Sequence, residues 1–216
     1  MSERAKNILE WIECVVIAIA LAILIRYYVG TPTVVQQESM YPTLEQNDRL
    51  VLNRISRTKK ETPERGEIVT FESPSTKYIS HEQVDLNNPV AIYDYEPQNI
   101  FSKFTYYVLE WGKTSYIKRV IGLPGERVQI ADGKVYINGK ELDESEYLQD
   151  DVYTDSYGGE FTNLVVPECY LFVMGDNRSK SADSRRFGCI PIEKIEGTVS
   201  IRFWPFSKFG TIKKAE

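Results

Sequence analysis

Three separated stretches concentrate hydroxyl, amine and carboxylate side chains. The first is Ser39-Met40-Tyr41-Pro42-Thr43-Leu44, a serine just ahead of a proline turn. The second, Tyr116-Ile117-Lys118-Arg119-Val120-Ile121-Gly122-Leu123-Pro124-Gly125-Glu126, reads as a strand entering a Pro-Gly turn. The third is Gly175-Asp176-Asn177-Arg178 with Ser181, Asp183, Ser184 and Arg185, a polar loop behind an apolar strand. Each alone has an ordinary reading: a turn, a solvent-facing lysine, a structural loop. A serine hydroxyl becomes a nucleophile only beside a base, and the one histidine, His81, lies outside all three stretches. A lysine can serve instead if its ammonium is destabilised. At the reference pKa of about 10.4, deprotonation at pH 7 costs roughly 4.6 kcal/mol. On a buried strand, between Ile117 and Val120, desolvation could bring Lys118 to about 7 to 8, where the free amine takes a proton. Strand alternation puts Arg119 on the opposite face, from which it can pair with Asp183 without placing its charge beside the serine.

These residues need a rigid body to hold them, and the chain of 216 residues is long enough for one domain or two small ones. Beyond Gly30 the dominant pattern is period two, in Arg49 to Arg54, Glu67 to Phe71, Tyr170 to Met174 and Thr198 to Phe203, which predicts strands. ERVQIADGKVYINGKEL carries Asp132-Gly133 and Asn138-Gly139 between alternating runs, which predicts a three-strand meander. The body is therefore expected to be mainly β, an antiparallel sheet formed from residues 31–72 and 114–207. Residues 141–163 are acidic and rich in tyrosine and glycine, a solvated loop or lid. Residues 73–113 form an insertion in which Phe101, Phe104, Val108 and Trp111 recur at helical spacing, suiting a short amphipathic helix packed on the body or laid on a bilayer. Residues 208–216 are a tail.

Ahead of the body, residues 11–29 (WIECVVIAIALAILIRYYV) would span roughly 28 Å as a helix, close to the hydrocarbon thickness of a bilayer. Glu13 and Arg26 sit near its ends, Trp11, Tyr27 and Tyr28 suit the interfaces, and Gly30 and Pro32 stop it. A small-residue A-x-A pattern at Ala18, Ala20 and Ala22 falls inside the apolar run instead of after it, which favours an uncleaved transmembrane anchor over a removed leader. Arg4 and Lys6 before the span outnumber Arg26 after it, so residues 1–10 are expected in the cytoplasm and the body on the outer face. Net charge is −5, which argues against a nucleic-acid partner. With Cys14 in the apolar run, His81, Cys169 and Cys189 are too few for a zinc site, and no metal or cofactor is expected. Whether Cys169 and Cys189 pair is open at this level, because connectivity needs geometry.

The three stretches, in this order behind an apolar anchor, resemble the bacterial type I signal peptidases (leader peptidases) from Val34 to Phe203. The resemblance implies a single-pass endopeptidase of the bacterial cell membrane that removes signal peptides from exported preproteins by a Ser/Lys dyad. On that likeness Ser39 is the nucleophile, Lys118 the general base, and Ser181 the hydroxyl that orients the lysine. Arg119, Asp183 and Arg185 match charged positions that brace the site. Val35, Met40, Leu44, Tyr116 and Ile117 match positions lining pockets for the small side chains before the cut. Partners would be signal peptides and membrane lipid. The chain departs from the pattern at Gln37, where many members carry a small hydroxyl or glycine two residues before the nucleophile, so the second oxyanion donor is either the Gln37 amide or another group. The length of the 73–113 insertion is a second departure. Another Ser/Lys reading, a self-cleaving protease of the repressor type, would need an Ala-Gly or Cys-Gly bond upstream of Ser39, and none occurs between Met1 and Ser39. A silent membrane-anchored binding protein keeping this fold is the non-enzymatic alternative.

Overall fold

In a computed structural model that describes residues 3–75, 85–149, 151–212 and 214–215, the alternating segments become strands at the expected places. In chain order the elements are α1 (Glu3–Tyr28), β1 (Gly30–Val34), β2 (Arg49–Asn53), α2 (Ile55–Thr58), β3 (Ile68–Glu72), α3 (Ile100–Lys103), β4 (Ser115–Gly122), β5 (Arg127–Ala131), β6 (Lys134–Ile137) and β7 (Lys140–Glu141). They continue as β8 (Asn163–Val165), β9 (Tyr170–Met174), α4 (Ser184–Phe187), β10 (Ile190–Pro191), β11 (Ile195–Trp204) and β12 (Gly210–Thr211). His81 lies outside the described residues.

The strands make an eight-stranded sheet in the order β1-β2-β11-β3-β4-β9-β10, with β12 on β11, and a four-stranded sheet in the order β7-β6-β5-β8. The pairs within both are antiparallel. The expected meander is β5-β6-β7, and its turns hold positive φ at Asp132 (51°), Gly133 (80°), Asn138 (53°) and Gly139 (81°), as a tight two-residue hairpin requires. The two sheets meet where Gly122 ends β4: a β-carbon there would lie 2.5 Å from Val128 Cγ2 and 3.0 Å from Phe172 Cβ, so no side chain fits. One core, around Ile121, Val128, Val135, Leu164 and Phe172, fills the space beneath the smaller sheet; another, around Val69, Phe71, Val120 and Val173, lies on the larger.

The N-terminal helix is longer than the apolar run that announces it, starting at Glu3 instead of Trp11 because the polar first turns also favour helix. Within Lys6–Tyr28 the most apolar 18 residues have a mean hydropathy of 2.6 and are not buried by the rest of the protein, so the helix is long and apolar enough to cross a membrane. Gly30 opens β1, and its lack of a side chain serves close packing: a β-carbon would sit 2.9 Å from Leu52 O on β2.

The expectations about the appended segments need refinement. Within residues 141–163 most of the described residues are solvent-exposed, but Tyr147, Thr154 and Phe161 are buried and Glu144 pairs with the buried Arg178, so the loop is anchored to the body. The acidity of the segment supplies a partner for an interior cation. In the insertion the helical spacing breaks, because α3 passes at Phe104–Val108 into the wider π-helical turn, with Leu109 N donating to Phe104 O at 3.2 Å. Phe101, Phe104 and Trp111 are exposed while Val108 is half-buried, so those four do not form one face. Cys14, Cys169 and Cys189 are free thiols; Cys169 is exposed and Cys189 buried, which answers the pairing question against a disulfide.

Candidate active site

Lys118 sits in the middle of β4, opposite Val69 of β3, while β9 flanks β4 through Arg119 and Val120. Strands on both sides shield this stretch of the larger sheet, and Lys118 is 2% exposed. Ser39 follows β1 in a turn held over the sheet by residues far away in the chain. Its carbonyl accepts from Asn177 N at 3.1 Å, and Asn177 Nδ2 donates to Glu38 O at 3.1 Å. Gly175 makes that approach possible, since a β-carbon would lie 2.4 Å from Ser39 O and 2.2 Å from Ser181 Oγ.

The outcome is a contact between residues 79 apart in the chain: Lys118 Nζ donates to Ser39 Oγ at 2.7 Å and to Ile117 O at 3.0 Å. Burial, which penalises the ammonium, pushes the Lys118 pKa down to about 8; Asp183 and Asp176 oppose the shift and Arg185 adds to it. At pH 7 deprotonation then costs only about 1.4 kcal/mol, against roughly 4.6 for an exposed lysine. A hydroxyl touching such an amine can give up its proton near neutral pH. Ser181 Oγ is buried with no hydrogen-bond partner among the described residues, so it does not hold the lysine in this arrangement.

The ion network differs from the expected pairing. Arg119 is bidentate to Asp176, with Nε to Oδ1 at 2.9 Å and Nη2 to Oδ2 at 2.6 Å, and it stacks 4.0 Å over the ring of Tyr147. Asp183 instead takes Arg185, through Nε at 2.8 Å and Nη2 at 2.8 Å, and caps α4 by accepting from Arg185 N at 3.2 Å. Arg119 does point away from Lys118 as alternation requires; only its carboxylate partner changes. Both pairs are essentially buried, a setting in which removing one partner costs roughly 3–5 kcal/mol. Thr43 Oγ1 donates to Asp176 Oδ2 at 2.6 Å, tying the serine loop into the same network. Asp176, Asn177, Thr43 and Gly175 all lie in the quoted stretches, but nothing in their spacing says which groups they meet.

A cleft of about 240 Å³ runs past Ser39 and Lys118, walled by residues 33–37 on one side and 113–118 on the other, with Thr70 beneath. Val35, Tyr116 and Ile117 line it as expected, and Gln37 is exposed at its edge. β1 has ended at Val34, so the alternation used to align Val35, Gln37 and Ser39 does not run on, although all three reach the cleft. Met40 and Leu44 do not line it. Both are fully buried with Leu50, Leu52, Ile68 and Val199, where they root the serine loop in the core. Lys113, which sequence reasoning passed over, also lines the cleft and pairs with Glu196 at 2.7 Å.

Comparison with known proteins gives this arrangement its class. A family model described as signal peptidase, peptidase S26, matches residues 8–204. The probable signal peptidase I-2 of Synechocystis sp. (strain ATCC 27184 / PCC 6803 / Kazusa) is 36% identical over 205 residues, covering 94% of this chain and 77% of that protein. Signal peptidase I S of Bacillus subtilis (strain 168) is 34% identical over 216 residues, covering 95% of this chain and 94% of its own length. A crystal structure of a signal peptidase I from Enterococcus faecalis V583 is 30% identical, covering 64% of this chain and 97% of that one, with a TM-score of 0.39. The protein is thus a hydrolase, a serine peptidase on an antiparallel β body. More narrowly, the chain belongs to the signal peptidase family, peptidase S26, as its three motifs had indicated.

Proposed function

We propose that this enzyme is held in the bacterial cell membrane by α1, with residues 1–10 in the cytoplasm and the β body on the outer face, and removes signal peptides from exported preproteins there. Ser39 is the nucleophile and Lys118 its general base. The observation that carries this reading is the buried amine 2.7 Å from the serine oxygen, with its pKa brought to about 8. In the neutral form Lys118 Nζ takes the Ser39 proton as Oγ bonds to the scissile carbonyl carbon. The resulting ammonium then protonates the departing amine; neutral again, Lys118 Nζ takes a proton from the water that attacks the acyl-enzyme and returns it to Ser39 Oγ as the acyl bond breaks.

The oxyanion is met by the Ser39 N–H and the Gln37 amide. Ser181, whose hydroxyl has no partner among the described residues, can turn to accept from Lys118 once it is charged. Arg119, Asp176, Asp183 and Arg185 brace the loops behind the dyad. An extended peptide lying between residues 33–37 and 113–118 would present small side chains to Val35, Tyr116 and Ile117. Ser39 lies only ten positions beyond Val29, at most about 33–36 Å, which keeps the nucleophile near the bilayer where a signal peptide ends. The test is cleavage of a preprotein in proteoliposomes by Ser39→Ala and Lys118→Ala. Both are expected to be inactive yet folded, and turnover by either would overturn the dyad.

A further inference from the structure

Among the described residues outside α1, Ile100 and Trp111 of the insertion are the most exposed of the large apolar side chains, and Phe101 lies beside Ile100 in sequence; a second exposed pair, Phe206 and Phe209, follows β11. α3 starts at a capping box, with Asn99 Oδ1 accepting from Ser102 N at 2.7 Å, and the π-helical turn after it redistributes the aromatic residues. Tyr106 turns inward and donates to Glu72 Oε1 at 3.1 Å, and Lys113 lies within 6 Å of the rings of both Tyr106 and Tyr107. Ile100, Phe101 and Trp111 are turned outward and are 88%, 75% and 78% exposed, with Phe104 also exposed. A water-facing surface rarely keeps such a group without a use.

The position of this group is fixed by charge. Glu110, next to Trp111, accepts from Arg26 Nη2 at 2.9 Å and is also paired with the buried Arg54. Arg26 is the basic residue in the last turn of α1, at the end of the apolar span. One carboxylate thus bolts the insertion to the point where the anchor leaves the bilayer, beside the exposed Tyr28 and Val29. The apolar surface of α1 and that of the insertion are therefore neighbours at one level, and Trp and Phe are the residue types that settle at a lipid interface.

We propose that the insertion is a second bilayer contact, with Ile100, Phe101, Phe104 and Trp111 entering the boundary between headgroups and acyl chains beside α1. This rests on the reading of α1 as a membrane anchor. Its consequence reaches the site directly, because the insertion runs into β4 and its last residue, Lys113, lines the cleft. The contact sets the height of the cleft above the lipid, and so which bond of a membrane-embedded substrate meets Ser39.

The full chain in phosphatidylcholine–phosphatidylglycerol vesicles, with acyl chains brominated near the headgroup, tests this. One variant keeps Trp111 alone (Trp11→Phe, Trp204→Phe) and a second keeps Trp11 alone (Trp111→Phe, Trp204→Phe). Quenching of both is expected. Quenching of Trp11 without Trp111 overturns the second contact and leaves the anchor, and quenching of neither overturns both. In a further variant of the full chain, Ile100→Ser with Phe101→Ser and Trp111→Ser, cleavage of a membrane-embedded preprotein should slow or move along the substrate, while cleavage of a short soluble peptide keeps its wild-type rate. Equal loss on both substrates would show damage to the body and count against the height-setting role.

Discussion

Replacing Lys118 by methionine removes a charge that the fold holds at a cost, so it should inactivate the enzyme and stabilise it in the same step. A lysine with a pKa near 8 in the folded protein and 10.5 when unfolded binds its proton more tightly in the unfolded chain. Stability therefore rises with pH through that window. Below pH 8 the full penalty applies, about 3 kcal/mol at pH 7; it falls to about 2 at pH 9 and below about 1 at pH 10. Methionine fills nearly the same volume but loses the contact with Ser39 Oγ, worth about 1 kcal/mol. Lys118→Met should then be more stable than wild type by about 2 kcal/mol at pH 7, with the advantage vanishing near pH 10. Urea unfolding of the detergent-solubilised body, followed by tryptophan fluorescence at pH 7, 9 and 10, reads this difference, and groups titrating in both proteins cancel. A variant no more stable than wild type at pH 7, or a difference that ignores pH, would refute the claim that Lys118 is buried at the expense of its charge.

Activity of the wild type on a peptide should climb on the alkaline side of neutrality, pass half its plateau near pH 8 and level off about one pH unit higher as Lys118 loses its proton; a flat profile with chemistry rate-limiting would contradict the lysine base. Gln37→Ala should lower turnover by roughly 100- to 1,000-fold if the amide donates to the oxyanion, and a change under about 5-fold on a peptide with Ala before the cut would assign it to the cleft edge instead. Leu44→Ala should cost about 2–5 kcal/mol of stability with unchanged preference for the residues before the cut, since Leu44 is wholly inside; altered preference in a protein of normal stability would return it to the cleft wall.

The features legible in the sequence are those whose cause is local. The apolar run of α1 marks a long apolar helix whatever follows it. Strict alternation shows which strand faces are buried, and Asp132-Gly133 and Asn138-Gly139 specify their turns because few other residues tolerate positive φ in succession. Lys118, between Ile117 and Arg119, carries no such local mark, since a strand lysine by itself reads as solvent-facing. Choices among distant partners are of another kind. Alternation sends Arg119 to the face away from Lys118, but whether Asp176 or Asp183 waits there depends on how the loop after β9 folds, and Asp183 is taken by its neighbour Arg185. Met40 and Leu44 flank a turn, so no period shows whether they face the cleft or the core; packing against Leu50 and Val199 decides it. The wider turn at Phe104–Val108 discards the spacing that the helix pattern assumed, and Glu144 finds Arg178 across 34 positions. Local pattern sufficed for the apolar N-terminal helix, the strands, their turns and the residue types available for chemistry. Tertiary structure alone decided which of them touch, because a contact such as that between Lys118 and Ser39 depends on strand register and loop path, which no local pattern encodes.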